Sequence, residues 1–311
     1  MLDSFLDLAR SALRVLSGQP ALLTGEGDPQ AAESIRRARE AQADGHVDEA
    51  RTLYRYVLQR WTANTSALRA LRDIAIETRD WDEAVATQQK LVALVPPGDR
   101  ATENEWLAVG YYELGRLELA RGRATAAIAH FKSALRAQRD FTPAVVALGD
   151  AYEATGDHRE AMRTWERAVE AEPALPLLAR LERAYRLEGR PSRMISLYRT
   201  AAERAPDDLA LAAALGRVYF ELEMLDEAAD QFEKLEVRAP DLPVVHAFLG
   251  AVFERRGQAR DAFDEYRRAL RLGHAFDWPH HCRVCGTRAA MWQDRCPQCH
   301  RWNTLRPSQT R

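Results

Sequence analysis

The last thirty residues contain all four cysteines of the chain, and their spacing is that of a metal site. Cys282 and Cys285 form one C-x-x-C pair, and Cys296 and Cys299 form a second. Two such turns can bring four thiolates around one tetrahedral ion, a geometry that suits both zinc and iron. The sequence therefore predicts one ion bound by four cysteines, in preference to free thiols or disulfides.

The shortness of the segment between the two pairs favours zinc, although iron stays open. A redox iron site needs a dry, well-packed shell to set its potential, and Trp292 and Trp302 are the bulky apolar residues expected to cover this one. So small a module has too little core to fold alone, so the ion must supply its stability. Four sulfurs complete the coordination, so we expect His280, His281 and His300 to be surface residues or second-sphere donors rather than ligands.

The chain before the cysteines repeats itself with a period near 34 residues. A small residue recurs at intervals of 34, 43, 34, 33, 34 and 34, at Ala50, Ala84, Ala127, Ala161, Met194, Ala228 and Ala262. An aromatic residue usually follows four positions later, and Leu-Gly pairs stand upstream at 114–115, 148–149, 215–216 and 249–250. This pattern resembles the tetratricopeptide repeat over residues 31–274. The resemblance implies an all-α superhelix of about seven helix pairs, with a small rubredoxin-like metal ribbon at 275–311.

Two irregularities interrupt the repeat. The 43-residue interval is expected to lengthen the next helix, with Thr102 and Glu105 as its capping box. Met194 replaces alanine at a tight contact, which predicts looser packing in the fifth unit.

Nine residues (273–281) separate the last helix from Cys282, so the ribbon is expected to dock against the end of the superhelix.

Composition argues for a protein-binding scaffold rather than an enzyme or a nucleic-acid-binding protein. The 311 residues carry a net charge of −2 and are 46% hydrophobic, so the chain can bury a large core while its overall field does not favour nucleic acid. The ribbon carries +4, which four thiolates around a divalent ion would lower to about +2. No phosphate loop, nucleophile elbow or zincin motif is evident, and four thiolates leave no open coordination site for hydrolysis.

The sequence pattern of residues 1–30 predicts an amphipathic helix followed by a linker. Leu2, Phe5, Leu6, Ala9, Leu13 and Leu16 share one helix face. We expect this helix to cap the first repeat, or else to contact a partner or the membrane surface. Charged residues interrupt every apolar run, so neither a signal peptide nor a transmembrane segment is evident. The expected location is the cytoplasm, either free or peripheral at the inner membrane face.

The first helices of such repeats line a concave groove, and the usual groove positions of the repeat family select a set of partner-binding candidates. They are Tyr112, Arg116, Arg183, Arg186 and Arg217. Arginine presents a planar fork that donates two parallel hydrogen bonds to a carboxylate. The groove therefore predicts binding of an acidic or C-terminal peptide segment, against the alternative that these side chains are simply solvated.

Repeats followed by this ribbon, and then by W-x-T-x-x-P, resemble the lipopolysaccharide assembly protein B family. The match rests on the four cysteines with Gly286, Pro297, Trp302, Thr304 and Pro307. The resemblance implies an adaptor that binds a membrane protease and promotes turnover of the lipid A deacetylase. Enterobacterial members begin with a membrane-spanning helix that this sequence does not show, which indicates a soluble relative or a misplaced start. The alternative function is a rubredoxin-like iron protein in electron transfer or redox sensing.

Overall fold

The computed structural model describes residues 24–272 and 280–308, which form fourteen α-helices and a three-stranded sheet. In chain order the helices are α1 (Pro29–Ala43), α2 (Val47–Arg60), α3 (Thr65–Glu77), α4 (Trp81–Leu94), α5 (Arg100–Ala120), α6 (Ala124–Ala137), α7 (Thr142–Thr155), α8 (His158–Ala171), α9 (Leu175–Leu187), α10 (Pro191–Arg204), α11 (Leu209–Glu221), α12 (Leu225–Arg238), α13 (Pro243–Arg255) and α14 (Ala259–Leu272). The strands are β1 (His280–Cys282), β2 (Arg288–Ala289) and β3 (Leu305–Pro307). The predicted fold, helical repeats followed by a small ribbon, is confirmed.

The chain divides into two compact units. The first contains the chain up to Arg121 together with residues 133–139, and the second contains 122–132 and everything from Asp140 onward. The predicted amphipathic helix falls in residues 1–23, outside the described residues. The predicted boundary between repeats and ribbon likewise falls in 273–279, which the structure does not describe.

Side-chain caps and prolines begin many of the helices. The Asp28 carboxylate accepts from the backbone N–H of Gln30 at 2.8 Å, and the Asn64 side chain accepts from that of Ala67 at 2.9 Å. These bonds satisfy N–H groups that the first turn of a helix leaves without partners. Helices α7, α9 and α13 instead carry a proline in their first turn, where its missing N–H is no loss.

Within a repeat of the second unit, glycine on the first helix meets an aromatic ring on the second. A Cβ atom added to Gly149 would lie 2.0 Å from Nε1 of Trp165, and one added to Gly216 would lie 2.7 Å from Cζ of Phe232. Glycine therefore sets how closely α7 approaches α8 and α11 approaches α12. This explains why the Leu-Gly pair and the later aromatic recur together.

The fifth repeat (α9 and α10) carries a larger residue at both positions where the other repeats usually have glycine or alanine. Glu182 follows Leu181 where three other repeats of the second unit have glycine after leucine, and Met194 replaces the usual alanine. Met194 is fully buried. Instead of lying under the ring of Tyr198, Glu182 accepts a 2.6 Å hydrogen bond from its hydroxyl. A buried polar contact thus stands where the other repeats have an apolar one.

The long helix α5 begins earlier than the predicted capping box. It starts at Arg100 with Asp99 at the N-cap position and no side-chain cap bond, so the prediction of a cap at Thr102 was wrong. A buried carboxylate stabilises the first turns of α5 instead. Glu103, 4% exposed, accepts from Nη1 of Arg72 at 3.1 Å and from the side chain of Gln88 at 2.8 Å.

The ribbon is an antiparallel sheet of order β2-β1-β3. His280 pairs with Ala289 on one side and with Pro307 on the other, and Cys282 pairs with Leu305. Strand β1 therefore lies at the centre, which fixes the first cysteine beside the C-terminal strand.

Candidate metal centre and arginine cluster

The two C-x-x-C segments form two turns with the same hydrogen bonds. The N–H of Cys282 donates to the carbonyl of Thr287 at 2.8 Å, and the N–H of Cys296 donates to that of Arg301 at 2.9 Å. Four residues after each leading cysteine, an N–H returns to its carbonyl: Gly286 at 2.9 Å and His300 at 3.1 Å. Both of these residues have positive φ, 74° and 56° respectively. The local sequence thus builds the same thiol-presenting turn twice.

The four sulfur atoms fit one tetrahedral ion. All lie within 4.8 Å of one another, with 3.6 Å between Sγ of Cys282 and Cys299 and 3.7 Å between Sγ of Cys285 and Cys296. Metal–sulfur bonds of about 2.3 Å imply sulfur–sulfur edges of about 3.8 Å. The sequence prediction that these cysteines come together is therefore realised in the structure, and the ribbon can hold one metal ion.

Hydrogen bonds prepare the first turn to carry negative charge. Burial raises the pKa of Cys282, but the Thr304 hydroxyl and the N–H groups of Cys285 and Val284 outweigh burial and lower that pKa to about 6. The Thr287 hydroxyl and N–H lower the pKa of Cys285. Such donors favour the thiolate, the form that binds a metal.

The four sulfurs do not readily ionise together without a cation. A backbone N–H from Arg301 lowers the pKa of Cys299, but burial and the hydrogen bonds with the other three cysteines outweigh it and raise that pKa to about 12. Thiolates packed this closely repel one another, and a bound divalent cation would supply the opposite charge that offsets this repulsion.

Two residues of this centre had no role assigned to them from the sequence. Oγ1 of Thr304 lies 3.2 Å from Sγ of Cys282, and Leu305 is 1% exposed in the small core with Cys282 and Cys296. Both tryptophans are half-buried: Trp292 packs against this core, and Trp302 lies under the guanidinium of Arg295 at 5.6 Å. The W-x-T spacing contained the signal for Thr304, since strand β3 must return beside Cys282.

The three histidines near the cysteines occupy different environments. His280 is buried in β1, His281 is half-buried, and His300 is exposed. Among the described residues, the group of potential ligand atoms at the ribbon contains only cysteines. That the four sulfurs complete the coordination stays a prediction.

A second group of potential metal ligands lies within α12–α14, and its members already bond to neighbouring residues. The ring of His246 lies 2.6 Å from Oε2 of Glu265 through Nδ1 and 2.7 Å from the carbonyl of Pro240 through Nε2. Arg268 bridges Glu265 at 2.8 Å and Glu236 at 3.3 Å. Both ring nitrogens and both carboxylates are thus engaged, which indicates a structural role.

Arg306 of β3 is half-buried among charged groups. Burial and Arg283 lower the pKa of Arg306, while the carboxylates of Glu172 and Asp140 raise it. The docking of the ribbon against the end of the superhelix stays a prediction.

The predicted groove residues of the second unit form a charged cluster between α9 and α11. Nη2 of Arg217 donates to Oε2 of Glu182 at 2.6 Å, and Nη1 donates to Oε1 of Glu221 at 2.8 Å. Arg186 donates to both glutamates as well. The four side chains therefore alternate in charge across two repeats. Arg183, one turn before Arg186, is exposed.

The two predicted groove residues of the first unit lie on α5. Tyr112 is 6% exposed, and the guanidinium of Arg116 lies 5.7 Å from its ring. Arg116 also pairs with Glu113 at 3.1 Å. All five groove residues stay predictions.

No helix in residues 24–272 is long and apolar enough to span a membrane.

Family models place the chain among known repeat proteins. Residues 35–99 match one tetratricopeptide repeat model, and residues 118–185 and 185–252 match another. Residues 280–307 match the model described as rubredoxin metal binding domain. Together the repeat matches cover more than half of the chain, which therefore belongs to the tetratricopeptide repeat proteins.

Two relatives match over most of the chain. Lipopolysaccharide assembly protein B of Escherichia coli strain K12 is 22% identical over 283 residues, covering 86% of this chain and 69% of that protein. The protein of the same name from Escherichia coli O157:H7 matches to the same extent. The chain is thus a tetratricopeptide repeat protein similar to lipopolysaccharide assembly protein B.

Solved structures of repeat proteins also match. YrrB, described as a TPR protein with an unusual peptide-binding site, is 20% identical with a TM-score of 0.37, covering 53% of this chain and 86% of that chain. A MamA structure is 20% identical with a TM-score of 0.39, covering 56% and 92% respectively.

Proposed function

We propose that this protein is a non-enzymatic adaptor in lipopolysaccharide assembly that holds other proteins on the first helices of its repeats. One observation carries the proposal: the match to lipopolysaccharide assembly protein B runs over 283 residues and covers 86% of this chain. Repeat proteins use their extended surfaces to bind partners. The proposal therefore assigns partner capture to the repeats and a stabilising role to the ribbon.

In this proposal the adaptor promotes proteolysis of the lipid A deacetylase by bringing it to a membrane protease. Such a task needs two binding surfaces and no chemistry of its own. It also places the protein in the cytoplasm at the inner membrane face, where residues 1–23 offer a second, peripheral contact through their shared apolar face. On the repeats, Tyr112, Arg116, Arg183, Arg186 and Arg217 are the proposed contact residues.

The ion is proposed to be structural zinc held by Cys282, Cys285, Cys296 and Cys299. When bound, it supplies a crosslink between the two thiol turns in place of a large core. Cys285 is exposed, and the apolar cover consists mainly of Leu305, Trp292 and Ala289. So thin a cover favours an ion without redox chemistry. Metal analysis of protein produced without added metal is expected to find one zinc per chain; one iron per chain with visible absorbance would support the electron-transfer alternative.

Deleting the gene tests the adaptor role. The half-life of the lipid A deacetylase, measured after blocking translation, should lengthen in the deletion strain and return with the wild-type gene. Arg183→Glu should restore turnover poorly, because it reverses an exposed charge that pairs with no residue in the described part of the chain, whereas Arg163→Glu on α8 should restore it fully. An unchanged half-life in the deletion strain would refute the proposed role.

A further inference from the structure

We infer that Glu221 is an internal occupant of a carboxylate-binding site, and that a partner's carboxylate replaces it. The inference rests on the proposed adaptor function and names the chemistry that the repeats recognise. The site consists of the guanidinium groups of Arg186 on α9 and Arg217 on α11. Oε1 of Glu221 accepts from Arg217 at 2.8 Å, and Oε2 accepts from Arg186. One carboxylate therefore bridges arginines of two successive repeats.

Two glutamates contact these arginines, and they differ in how firmly they are held. Glu182 has 11% of its side chain exposed and also accepts from the hydroxyl of Tyr198 at 2.6 Å. Glu221 has 33% of its side chain exposed and is the last residue of α11. Glu182 thus fixes Arg217 from inside, whereas Glu221 closes the cluster on the solvent side. An entering carboxylate can replace Glu221 without disturbing Glu182.

Displacement of Glu221 leaves the site with a positive charge. Arg186 and Arg217 balance Glu182 and Glu221, so one positive charge is left without a counter-charge when Glu221 turns away. Arginine forks bind carboxylates through paired hydrogen bonds. The ligand class is therefore a peptide carboxylate, from an acidic side chain or a chain terminus. Because the incoming group takes over bonds that Glu221 already makes, the exchange is nearly balanced and wild-type affinity is modest.

Removing the internal carboxylate should strengthen binding. Glu221→Gln keeps the shape of the side chain but leaves two arginines without their anion, so affinity for a carboxylate should rise about tenfold. The probe is fluorescein-labelled octaglutamate, titrated by fluorescence anisotropy against the full chain. An amidated octaglutamate distinguishes side-chain from terminal recognition. Glu254→Gln is the matched control, because Glu254 lies on the next repeat, where it accepts from Tyr266 of the same helix pair and not from this cluster.

Adding Arg186→Met to Glu221→Gln should abolish the gain, while Glu254→Gln should bind like wild type. Equal affinity for wild type and Glu221→Gln would overturn the inference and leave the adaptor function standing.

Arginine modification by phenylglyoxal, mapped by mass spectrometry, gives a readout that needs no peptide. Glu221→Gln should increase labelling of Arg186 and Arg217 by several fold. Unchanged labelling would overturn the inference even if no variant binds octaglutamate.

Discussion

Arg217 and Glu182 join the first helices of two successive repeats through paired hydrogen bonds, at 3.1 Å to Oε1 and 2.6 Å to Oε2. Glu182 stands where neighbouring repeats carry glycine. The bonds explain why a carboxylate is stable there: both oxygens have donors, and the charge is matched. An ion pair so enclosed resists disruption, because removing one partner leaves the other buried without compensation.

The Glu182 carboxylate should make folding stability fall in acid. Burial raises its pKa, but bonds from Arg217, Tyr198 and Arg186 outweigh burial and lower it from the ordinary 4.5 to about 2. A lowered pKa stabilises the folded state fully above about pH 4.5, and this stability is lost as pH falls towards 2. The difference corresponds to about 3 kcal/mol. Thermal melting between pH 7 and pH 2.5 should therefore show a steeper loss for wild type than for Glu182→Gln.

At neutral pH, Glu182→Gln should itself lower the melting temperature, because a neutral amide satisfies Arg217 poorly. Glu203→Gln, an exposed position on α10, should leave both the melting temperature and its pH dependence unchanged. Parallel acid profiles for wild type and Glu182→Gln would contradict the lowered pKa.

The contact between Gly216 and Phe232 predicts the effect of a single methyl group. A Cβ atom at Gly216 would lie 2.7 Å from Cζ of the ring, so Gly216→Ala must push α11 and α12 apart and should cost about 1–3 kcal/mol of unfolding free energy. Gly98→Ala is the control, since a Cβ there meets nothing within 4 Å. Chemical denaturation should show a lower midpoint for the first variant and an unchanged or higher one for the second. Equal midpoints would mean that this helix pair can relax around the methyl group.

The repeats and the cysteine cluster could be predicted from the sequence because their signals are local. A period near 34 residues needs only small and aromatic residues at fixed spacing, and two C-x-x-C turns dictate their own geometry. The Glu182 network could not be predicted in the same way. Its partner Arg217 lies on the next repeat, and the only signal was the glutamate after Leu181 in place of glycine.

The start of α5 also could not be predicted from the local sequence. Glu103 is buried and accepts from Arg72 and Gln88. These contacts form only in the fold, and the capping preference of Thr102 gives no sign of them.

Loss of one thiolate should release the ion and unfold the ribbon alone. Cys296 is fully buried in the ribbon core, and Cys296→Ser removes a ligand from a module that has little other core. We expect metal content to fall below one ion per chain and trypsin to cut after Arg283 or Arg288, while the helical circular dichroism signal is retained. Ser308→Ala, beyond β3, is the matched control and should keep the ion. A Cys296→Ser protein with full metal and a protected ribbon would contradict the four-sulfur site.

The two thiol turns differ at one equivalent position, which predicts opposite effects of two substitutions. Gly286 and His300 both adopt positive φ, at 74° and 56°, a conformation that costs a side-chain-bearing residue about 1 kcal/mol. His300→Gly should therefore stabilise the metal-bound ribbon by about that amount and keep its ion, because His300 is not a ligand. Gly286→Ala should destabilise it similarly, since a Cβ there meets nothing within 4 Å and only the backbone is strained. Competition with a chelator such as 4-(2-pyridylazo)resorcinol measures both effects as slower or faster metal loss. Faster loss from His300→Gly would show that the imidazole supports the ion and that the turns are not equivalent.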